Sequence, residues 1–179
     1  MRIISGTHKS RKIVAPKKLP VRPTTDMAKE SLFNILNNTY YFDEISVLDL
    51  FAGTGNISYE FASRGTKRIT CVDKNFGCIK FINETAEKFN MSIDTIKSDV
   101  FKFLENAKQQ ADIIFADPPY NFSDEQFAKL PELIFKNNML GNEGILIIEH
   151  SKHTDLSQLS HFSHQKNYGS SAFSFFKNV

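Results

Sequence analysis

Residues 46–60 constrain the fold more than any other part of the chain. The apolar run over residues 47–51 predicts a strand that is buried on both faces, as in a parallel sheet. It leads into Ala-Gly-Thr-Gly at residues 52–55, where a backbone without Cβ atoms can turn sharply and approach a ligand. Asn56 is predicted to cap the helix that follows. A strand, a tight glycine turn and a helix N-terminus are typical of the nucleotide site of a doubly wound α/β sheet.

The ligand of this turn is indicated by an acid rather than by the glycines. As a dinucleotide fingerprint the turn is imperfect, because Ser58 stands at the third glycine position. Asp49 lies four residues before Gly53, inside the apolar strand. A buried carboxylate is unfavourable without partners. We therefore expect Asp49 to face the loop and the polar end of a ligand; the alternative is that it only ties down the amides of the turn.

Two further acids follow predicted strands. Asp73 ends the second strand, 20 residues after Gly53, which is where α/β nucleotide folds bind the ribose hydroxyls. Asp99 follows a short third strand over residues 93–97. It can accept a hydrogen bond from an adenine amino group, cap the next helix, or do both through different groups.

The most specific signal is Asp117-Pro118-Pro119-Tyr120, directly after a predicted fourth strand. Strands one and four are expected to flank the topological switch point, so this tetrapeptide would lie beside the glycine turn. The Asp117 carboxylate and the Pro118 carbonyl are acceptors suited to the two hydrogens of a planar amino group. The prolines stiffen the loop, and Tyr120 offers a ring on which a flipped-out base can stack.

Other patterns complete a sheet with helices. A helix is expected over about residues 25–38, with a cap among residues 24–26, and another over about residues 56–63. Asn75 is expected to cap a helix, Ser123 and Gln126 to form a capping box, and Pro131 to start a second helical segment. A buried strand is predicted over residues 144–149 and a terminal hairpin around Gly169.

Charge is distributed unevenly along a chain whose 179 residues fit one domain of ordinary size. Residues 1–29 hold eight Lys or Arg and one acid, a net charge of +7, whereas the rest of the chain carries −5. A basic segment on a mildly acidic body favours a polyanion partner such as nucleic acid. We therefore predict a basic arm, with a possible small hairpin, over residues 1–22, whose removal leaves cofactor binding intact, and a catalytic domain over residues 23–179.

The motifs together resemble a known family. Residues 47–55, Val-Leu-Asp-Leu-Phe-Ala-Gly-Thr-Gly, and Asp-Pro-Pro-Tyr resemble motifs I and IV of class I S-adenosylmethionine-dependent methyltransferases of amino groups. Residues 1–13, 22–26 and 30–36 are similar to the bacterial 16S ribosomal RNA (guanine-N2)-methyltransferase family, RsmD type. The resemblance covers nearly the whole chain. DNA adenine-N6 and protein glutamine methyltransferases share motifs I and IV, so the N-terminal block carries the prediction of the substrate.

The resemblance implies a Rossmann-like α/β fold with a mostly parallel seven-stranded sheet, one antiparallel strand and helices on both faces. It implies S-adenosyl-L-methionine as cofactor and a specific guanine of 16S rRNA, free or in an assembling small subunit, as acceptor. The chain departs from the family at Ser10, where Gly is usual, and at Asp73, where Glu is frequent. The implied cofactor residues are Asp49, Phe51, Ala52, Gly53, Gly55, Asp73 and Asp99. The implied catalytic residues are Asp117, Pro118, Pro119 and Tyr120, and the RNA-binding residues are Arg2, Lys9, Arg11, Lys12 and Arg22.

Three other functions remain open on the sequence. A DNA adenine-N6 methyltransferase usually needs additional target-recognition sequence, and a non-catalytic RNA-binding assembly factor would not need Asp-Pro-Pro-Tyr. An NAD-dependent enzyme is disfavoured by Ser58 and Asp49. The histidines lack the cysteine or carboxylate pairing of a metal site, so no metal is expected. No apolar run approaches the length of a membrane span, and we expect a cytoplasmic monomer.

Overall fold

The computed structural model describes residues 1–22 and 24–179, which fold around one seven-stranded sheet. The helices of these residues are α1 Asp26–Asn37, α2 Asn56–Ser63, α3 Phe76–Lys88, α4 Val100–Asn106 and α5 Asp124–Lys136. The strands are β1 Ser46–Leu50, β2 Arg68–Asp73, β3 Ile93–Lys97, β4 Ala111–Ala116, β5 Leu140–Ser151, β6 Phe162–Tyr168 and β7 Ser171–Lys177.

The strand order is β3-β2-β1-β4-β5-β7-β6, and β7 runs antiparallel to both of its neighbours. β1 pairs in parallel with β2 on one side and with β4 on the other. The chain therefore reverses its direction of travel across the sheet between β1 and β4, which places a crevice at their carboxyl ends. The predicted Rossmann-like sheet with one antiparallel strand is confirmed, as are its terminal hairpin and the position of strands one and four.

Alternate residues of the central strands point into two separate cores. Val47 and Ile113 pack with α1, α2 and α3, whereas Leu48 and Ile114 pack with α4 and α5. All four side chains are almost fully buried. This explains why the sequence shows continuous apolar runs here instead of polar alternation. Helices on both faces are confirmed.

Capping residues predicted from the local sequence account for most of the helix N-termini. The predicted caps are present at Thr25, Asn75 and Asp99, and Ser123 with Gln126 forms the predicted capping box. The prediction that Asn56 caps α2 is wrong: Gly55, in a left-handed conformation, holds the cap position, and the Asn56 side chain is turned into the core.

The prediction that Pro131 starts a second helical segment is also wrong. Pro131 lies inside α5, which continues unbroken from Asp124 to Lys136. A proline within a helix removes one main-chain hydrogen bond. The ring of Pro131 is buried, and α5 packs Leu130 and Ile134 into the core on either side of it, so packing outweighs that loss.

The N-terminal segment forms a minimal hairpin that is packed on the body. Arg2 and Lys12 form an antiparallel bridge, and the Ile13 amide donates to the Met1 carbonyl at 2.9 Å. Ile3 and Ile13 are buried in the same core as α1. The prediction of an arm whose removal leaves the cofactor site intact therefore conflicts with the structure, because deletion of this segment would open that core.

No helix within the described residues is long and apolar enough to cross a membrane.

Candidate active site

A cavity of about 460 Å³ lies at the carboxyl ends of β1, β2, β3 and β4. The structure brings ten of the eleven predicted cofactor and catalytic residues to its lining. They are Asp49, Phe51, Ala52, Gly53, Asp73, Asp99, Asp117, Pro118, Pro119 and Tyr120. Gly55 does not line the cavity itself and lies between two residues that do, Thr54 and Asn56. Arg22, predicted to bind RNA, lies at the same cavity.

The turn after β1 depends on left-handed backbone. Gly53 has φ +56° and Gly55 has φ +85°, and a Cβ atom on Gly55 would lie 2.8 Å from the ring of Tyr59. Phe51 also has a positive φ, 58°, which is unfavourable for a bulky residue and is typical of functional sites. The turn thus keeps a strained backbone next to the cavity, and at Gly55 the packing of Tyr59 excludes any side chain.

Asp49 is buried on β1 and accepts a hydrogen bond from the Ser58 hydroxyl at 2.6 Å. The pKa of Asp49 is raised to about 7, mainly by burial; the Ser58 hydroxyl acts in the opposite direction, and the nearby Asp73 charge adds to the increase. The sequence reasoning treated Ser58 as a missing glycine and did not identify it as the partner of Asp49. The carboxyl group is therefore tied to α2 and still lines the cavity.

Asp73 and Asp99 are held by main-chain amides. Asp73 accepts from Gly53 N at 2.9 Å and from Asn75 N at 2.8 Å, so it joins the glycine turn to the start of α3. Asp99 accepts from Lys102 N at 3.1 Å, which confirms its predicted capping role. Carboxylates anchored in this way keep further lone pairs for a ligand.

These residues fit a nucleoside cofactor that carries a positive charge. The backbone of Gly53 lines the cavity, whereas the space beside Gly55 is filled by Tyr59 and Ile82. Asp73 and Asp99 present acceptors for hydroxyl and amino groups, and Asp49 and Asp117 present carboxyl groups that a cation would stabilise in their ionised form.

The loop after β4 forms the side of the cavity where the sequence predicts the methyl-acceptor site, called the acceptor side below. Asp117 is half-buried, and its pKa lies well above the ordinary value because of desolvation first and the neighbouring acids Glu149 and Asp49 next. Tyr120 is 65% exposed. The guanidinium of Arg22 lies over the Tyr120 ring, 5.8 Å from its centroid. The arrangement offers acceptors at the base of the loop and an accessible aromatic face at its rim.

Two buried residues beside Asp117 were missed by the sequence reasoning. The Thr24 hydroxyl donates to Glu149 Oε2 at 2.6 Å, and the Thr24 carbonyl accepts from the Asn56 side chain at 3.1 Å. Asn56 in turn accepts from Lys29, which is ion-paired with Glu60 at 3.5 Å. Glu149 carried a detectable signal, since it is an acid at the end of an apolar strand, as Asp49 is.

The remaining predicted RNA-binding residues lie away from the cavity. Arg2 is paired with Asp26 at 3.2 Å, near the start of α1. Lys9, Arg11 and Lys12 are exposed in a loop whose Thr7 amide donates to the Ser63 carbonyl at 2.8 Å. Ser63 ends α2, whereas the first residue of α2 lines the cavity.

The described residues contain no group of three or more His, Cys, Asp or Glu side chains arranged to hold a metal ion.

Comparison with known proteins gives a consistent result. The family described as conserved hypothetical protein 95 matches residues 1–177. Ribosomal RNA small subunit methyltransferase D of Haemophilus influenzae is 32% identical over 164 residues, which cover 85% of this chain and 79% of that protein. The protein of the same name from Buchnera aphidicola is 31% identical over 150 residues, 83% of this chain and 75% of that protein. The solved structure of Escherichia coli yhhF superimposes with a TM-score of 0.85 at 26% identity, covering 98% of this chain and 96% of that one.

Proposed function

Because the chain belongs to the family of conserved hypothetical protein 95, which includes ribosomal RNA small subunit methyltransferase D, we propose that it methylates the exocyclic N2 amine of a guanine in 16S rRNA. The methyl donor is S-adenosyl-L-methionine. The observation that carries the proposal is a single cavity that joins the glycine turn of Gly53 and Gly55 to the loop of Asp117 and Tyr120. A cofactor site and an amino-group acceptor site are thus side by side.

The donor half of the cavity binds and orients the cofactor. When bound, S-adenosylmethionine supplies a methyl group on a positively charged sulfur. Asp73 would hold the ribose hydroxyls, as an acid at the end of the second strand does in this fold class. Asp99 would hold the adenine amino group, and Asp49, Phe51, Ala52 and the two glycines would hold the methionine part.

The acceptor half orients the amine. The Asp117 carboxylate and the Pro118 carbonyl accept its two hydrogens, which turns the nitrogen lone pair toward the methyl group. Tyr120 stacks on the base, a contact worth about 1–3 kcal/mol in single-stranded nucleic acid complexes. Pro119 stiffens the loop, so that these acceptors are held in place before the base arrives.

RNA is held by the basic N-terminal segment, residues 1–22, while residues 23–179 form the catalytic domain. Arg22 meets the RNA at the cavity, and Lys9, Arg11 and Lys12 meet it at the far end of α2. The body is net acidic, so phosphate attraction is expected to come mainly from this segment. The protein acts as a cytoplasmic monomer on 16S rRNA or on an assembling small subunit.

Two measurements test the function directly. Thermal-shift and calorimetric titrations should show that the purified chain binds S-adenosylmethionine or its demethylated product and not NAD. Mass mapping of rRNA from a deletion strain should show the loss of one N2-methylguanine in 16S rRNA, restored by the wild-type gene. Stabilisation by NAD alone, or unchanged modification of the rRNA, would refute the proposal.

The proposed RNA contacts of the basic segment are tested by the salt dependence of RNA binding. Deletion of residues 1–22 is not suitable, since they contribute to the core. Replacing Lys9, Arg11 and Lys12 by Gln should reduce the slope of log K against log salt by about two to three, at roughly 0.7–0.9 per lost phosphate contact. Cofactor affinity should not change. The matched control replaces three exposed lysines around α4 and α5: Lys102, Lys108 and Lys136. Equal slopes for the two triple variants would exclude the loop as an RNA contact.

A further inference from the structure

Glu149, which is buried, and Asp117, which is half-buried, are acids on neighbouring segments of the sheet. In the β4–β5 register Ala116, the last residue of β4, pairs with Ile148, so Asp117 follows β4 at the level of Glu149 on β5. Both line a small hollow next to the main cavity, which Tyr120 also borders. Glu149 is only 6% exposed. Two adjacent, largely desolvated carboxyl groups are unfavourable unless they share protons or face a cation.

We propose that Glu149 is a positioning residue for methyl transfer, which makes the adjacent Asp117 the acceptor of the proton that the substrate amine loses. The inference rests on the function proposed above and assigns a role to a residue outside the Asp-Pro-Pro-Tyr loop. Glu149 acts through Asp117 and does not touch the reacting atoms.

The step balances with the groups at hand. The N2 lone pair forms a bond to the methyl carbon as the carbon–sulfur bond breaks, and the electrons of that bond remain on sulfur, which becomes neutral. N2 becomes positively charged and then releases one proton to the Asp117 carboxylate, while the N–H electrons return to nitrogen. One positive charge disappears from sulfur and one negative charge disappears from Asp117, so the net charge of the cavity stays constant.

The hydrogen bond from Thr24 to Glu149 favours proton transfer to Asp117 over proton transfer to Glu149. The Thr24 hydroxyl donates to Glu149 at 2.6 Å inside the protein. Burial raises the pKa of Glu149, whereas the Thr24 and Ser171 hydroxyls act in the opposite direction because they favour its ionised form. Asp117 has no such hydroxyl donor among the described residues: burial first, and then the charges of Glu149 and Asp49, raise its pKa. Of the two acids, Asp117 is therefore the one that takes the proton. Thr24 is itself fixed by the Asn56 side chain.

The surroundings of the pair are mixed in charge. Asp49 from β1 adds negative charge, and Arg22 lines the same cavity from the segment before α1. Tyr120 and His150 border the hollow. The His150 ring is bonded to Ser151 and Ser174 and its pKa is lowered by burial, so it is not a charged partner of the pair near neutral pH. Asp73 and Lys74 line the cavity from the end of β2.

The first test is Glu149→Gln, whose amide oxygen can still accept from Thr24. Removal of the charge should lower the pKa of Asp117, so the acid limb of the kcat–pH profile should move down by about one unit. The maximal kcat should fall about tenfold because Asp117 becomes a weaker proton acceptor, while KM for RNA stays within about twofold. Glu143→Gln, an exposed position on the same strand, is the matched control and should leave the profile unchanged.

The second test needs no turnover. Calorimetry in two buffers of different ionisation enthalpy measures the protons released when a ligand binds. The wild type should release protons on binding S-adenosylmethionine near neutral pH, because its positive charge favours ionised carboxyl groups. It should release fewer with the demethylated product, whose sulfur is neutral. Glu149→Gln should reduce the release with the cationic ligand.

Thr24→Val provides an independent variant. Loss of the hydroxyl removes the donor that keeps Glu149 ionised, so the acid limb should again move down, and Thr24→Ser should restore it. An unmoved limb in both Glu149→Gln and Thr24→Val would overturn the inference, as would equal proton release by wild type and Glu149→Gln. These outcomes are distinct from a failure of the proposed function, in which the wild type would bind no S-adenosylmethionine or methylate no rRNA.

Discussion

The two sides of the cavity hold their acids in different ways. On the cofactor side, Asp73 and Asp99 are fixed by main-chain amides at most 20 residues away in sequence. On the acceptor side, the half-buried Asp117 lies next to the buried Glu149, and the donor to Glu149 is Thr24, 125 residues away. The cofactor side is therefore formed by local structure with satisfied carboxylates. The acceptor side is formed by tertiary contacts, and its acids favour protonation until a cation arrives.

The largest expected effect separates catalysis from cofactor binding. Asp117→Ala should lower turnover by at least about 10²–10³-fold, the loss typical of a preorganised charged group at the reacting centre. Cofactor affinity should change little, because the cofactor contacts lie on the other strands. Asp117→Asn should also be badly impaired, since its amide provides one acceptor oxygen and no negative charge. Single-turnover methylation and calorimetry provide the two measurements, and near-normal methylation by both variants would contradict the role of Asp117.

On the cofactor side, we expect the opposite result: a substitution should weaken cofactor binding more than it lowers turnover. Asp73→Ala should weaken S-adenosylmethionine binding by about 1–3 kcal/mol, the usual loss when hydrogen-bond partners are left unpaired. The Gly53 and Asn75 amides also lose their acceptor, so the turn itself should loosen. Turnover at saturating cofactor should be affected less than by Asp117→Ala. Asp94→Ala, an exposed acid on β3, is the control; equal losses in both variants would indicate a general charge effect.

An intermediate effect is expected at the rim of the acceptor side. Tyr120→Ala should raise KM for RNA and reduce methylation, by about 1–3 kcal/mol in kcat/KM if base stacking is lost. Tyr120→Phe should keep the ring and remain close to wild type. A severe defect in Tyr120→Phe would show that the hydroxyl, not the ring face, makes the important contact.

The smallest expected effect concerns pH and stability of the protein without cofactor. Burial raises the pKa of Asp49 to about 7 in the folded state, above its usual value of 3.8. The folded state thus binds more protons than the unfolded state between these values, so this group's contribution to stability falls as pH rises from about 4 to about 7 and is constant above. In Asp49→Asn the free energy of unfolding should fall less over this pH range. Denaturant unfolding at a series of pH values measures this free energy. Parallel plots of it against pH for the wild type and Asp49→Asn would contradict the raised pKa of Asp49.

Much of the cofactor side was predictable because its signals are contiguous. The apolar run of β1, the glycines at 53 and 55 and the acid at 73 lie within 27 residues and specify strand, turn and ligand contact together. The capping residues Thr25, Asn75 and Asp99 act on amides three residues ahead, so short sequence windows contain both partners. Asp-Pro-Pro-Tyr was readable for the same reason.

The acceptor side was only partly predictable because its partners meet through folding. Nothing in the local sequence relates Thr24 to Glu149, which come together only when β5 is placed beside β4. The burial of Ile3 and Ile13 likewise depends on the packing of α1, so the positive charge of the segment was read correctly while its attachment was not. Pro131 was misread because its local helix-breaking effect is smaller than the packing of α5.

The N-terminal segment contacts the body at two places that are separated by the length of α3, and this distance bears on the size of the proposed substrate. His8 and Arg11 contact Phe89, at the end of α3, with centroid distances of 5.6 Å for the His8 ring and 5.7 Å for the Arg11 guanidinium. Asn75, which precedes α3, lines the cavity, and the 13 residues of α3 span about 20 Å. That distance equals about six base steps of a duplex at 3.4 Å per step. On the proposed function, Arg22 at the cavity and the loop that contains Lys9, Arg11 and Lys12 would be two separate contacts for RNA: a free nucleoside could reach one of them, and only a polymer could reach both.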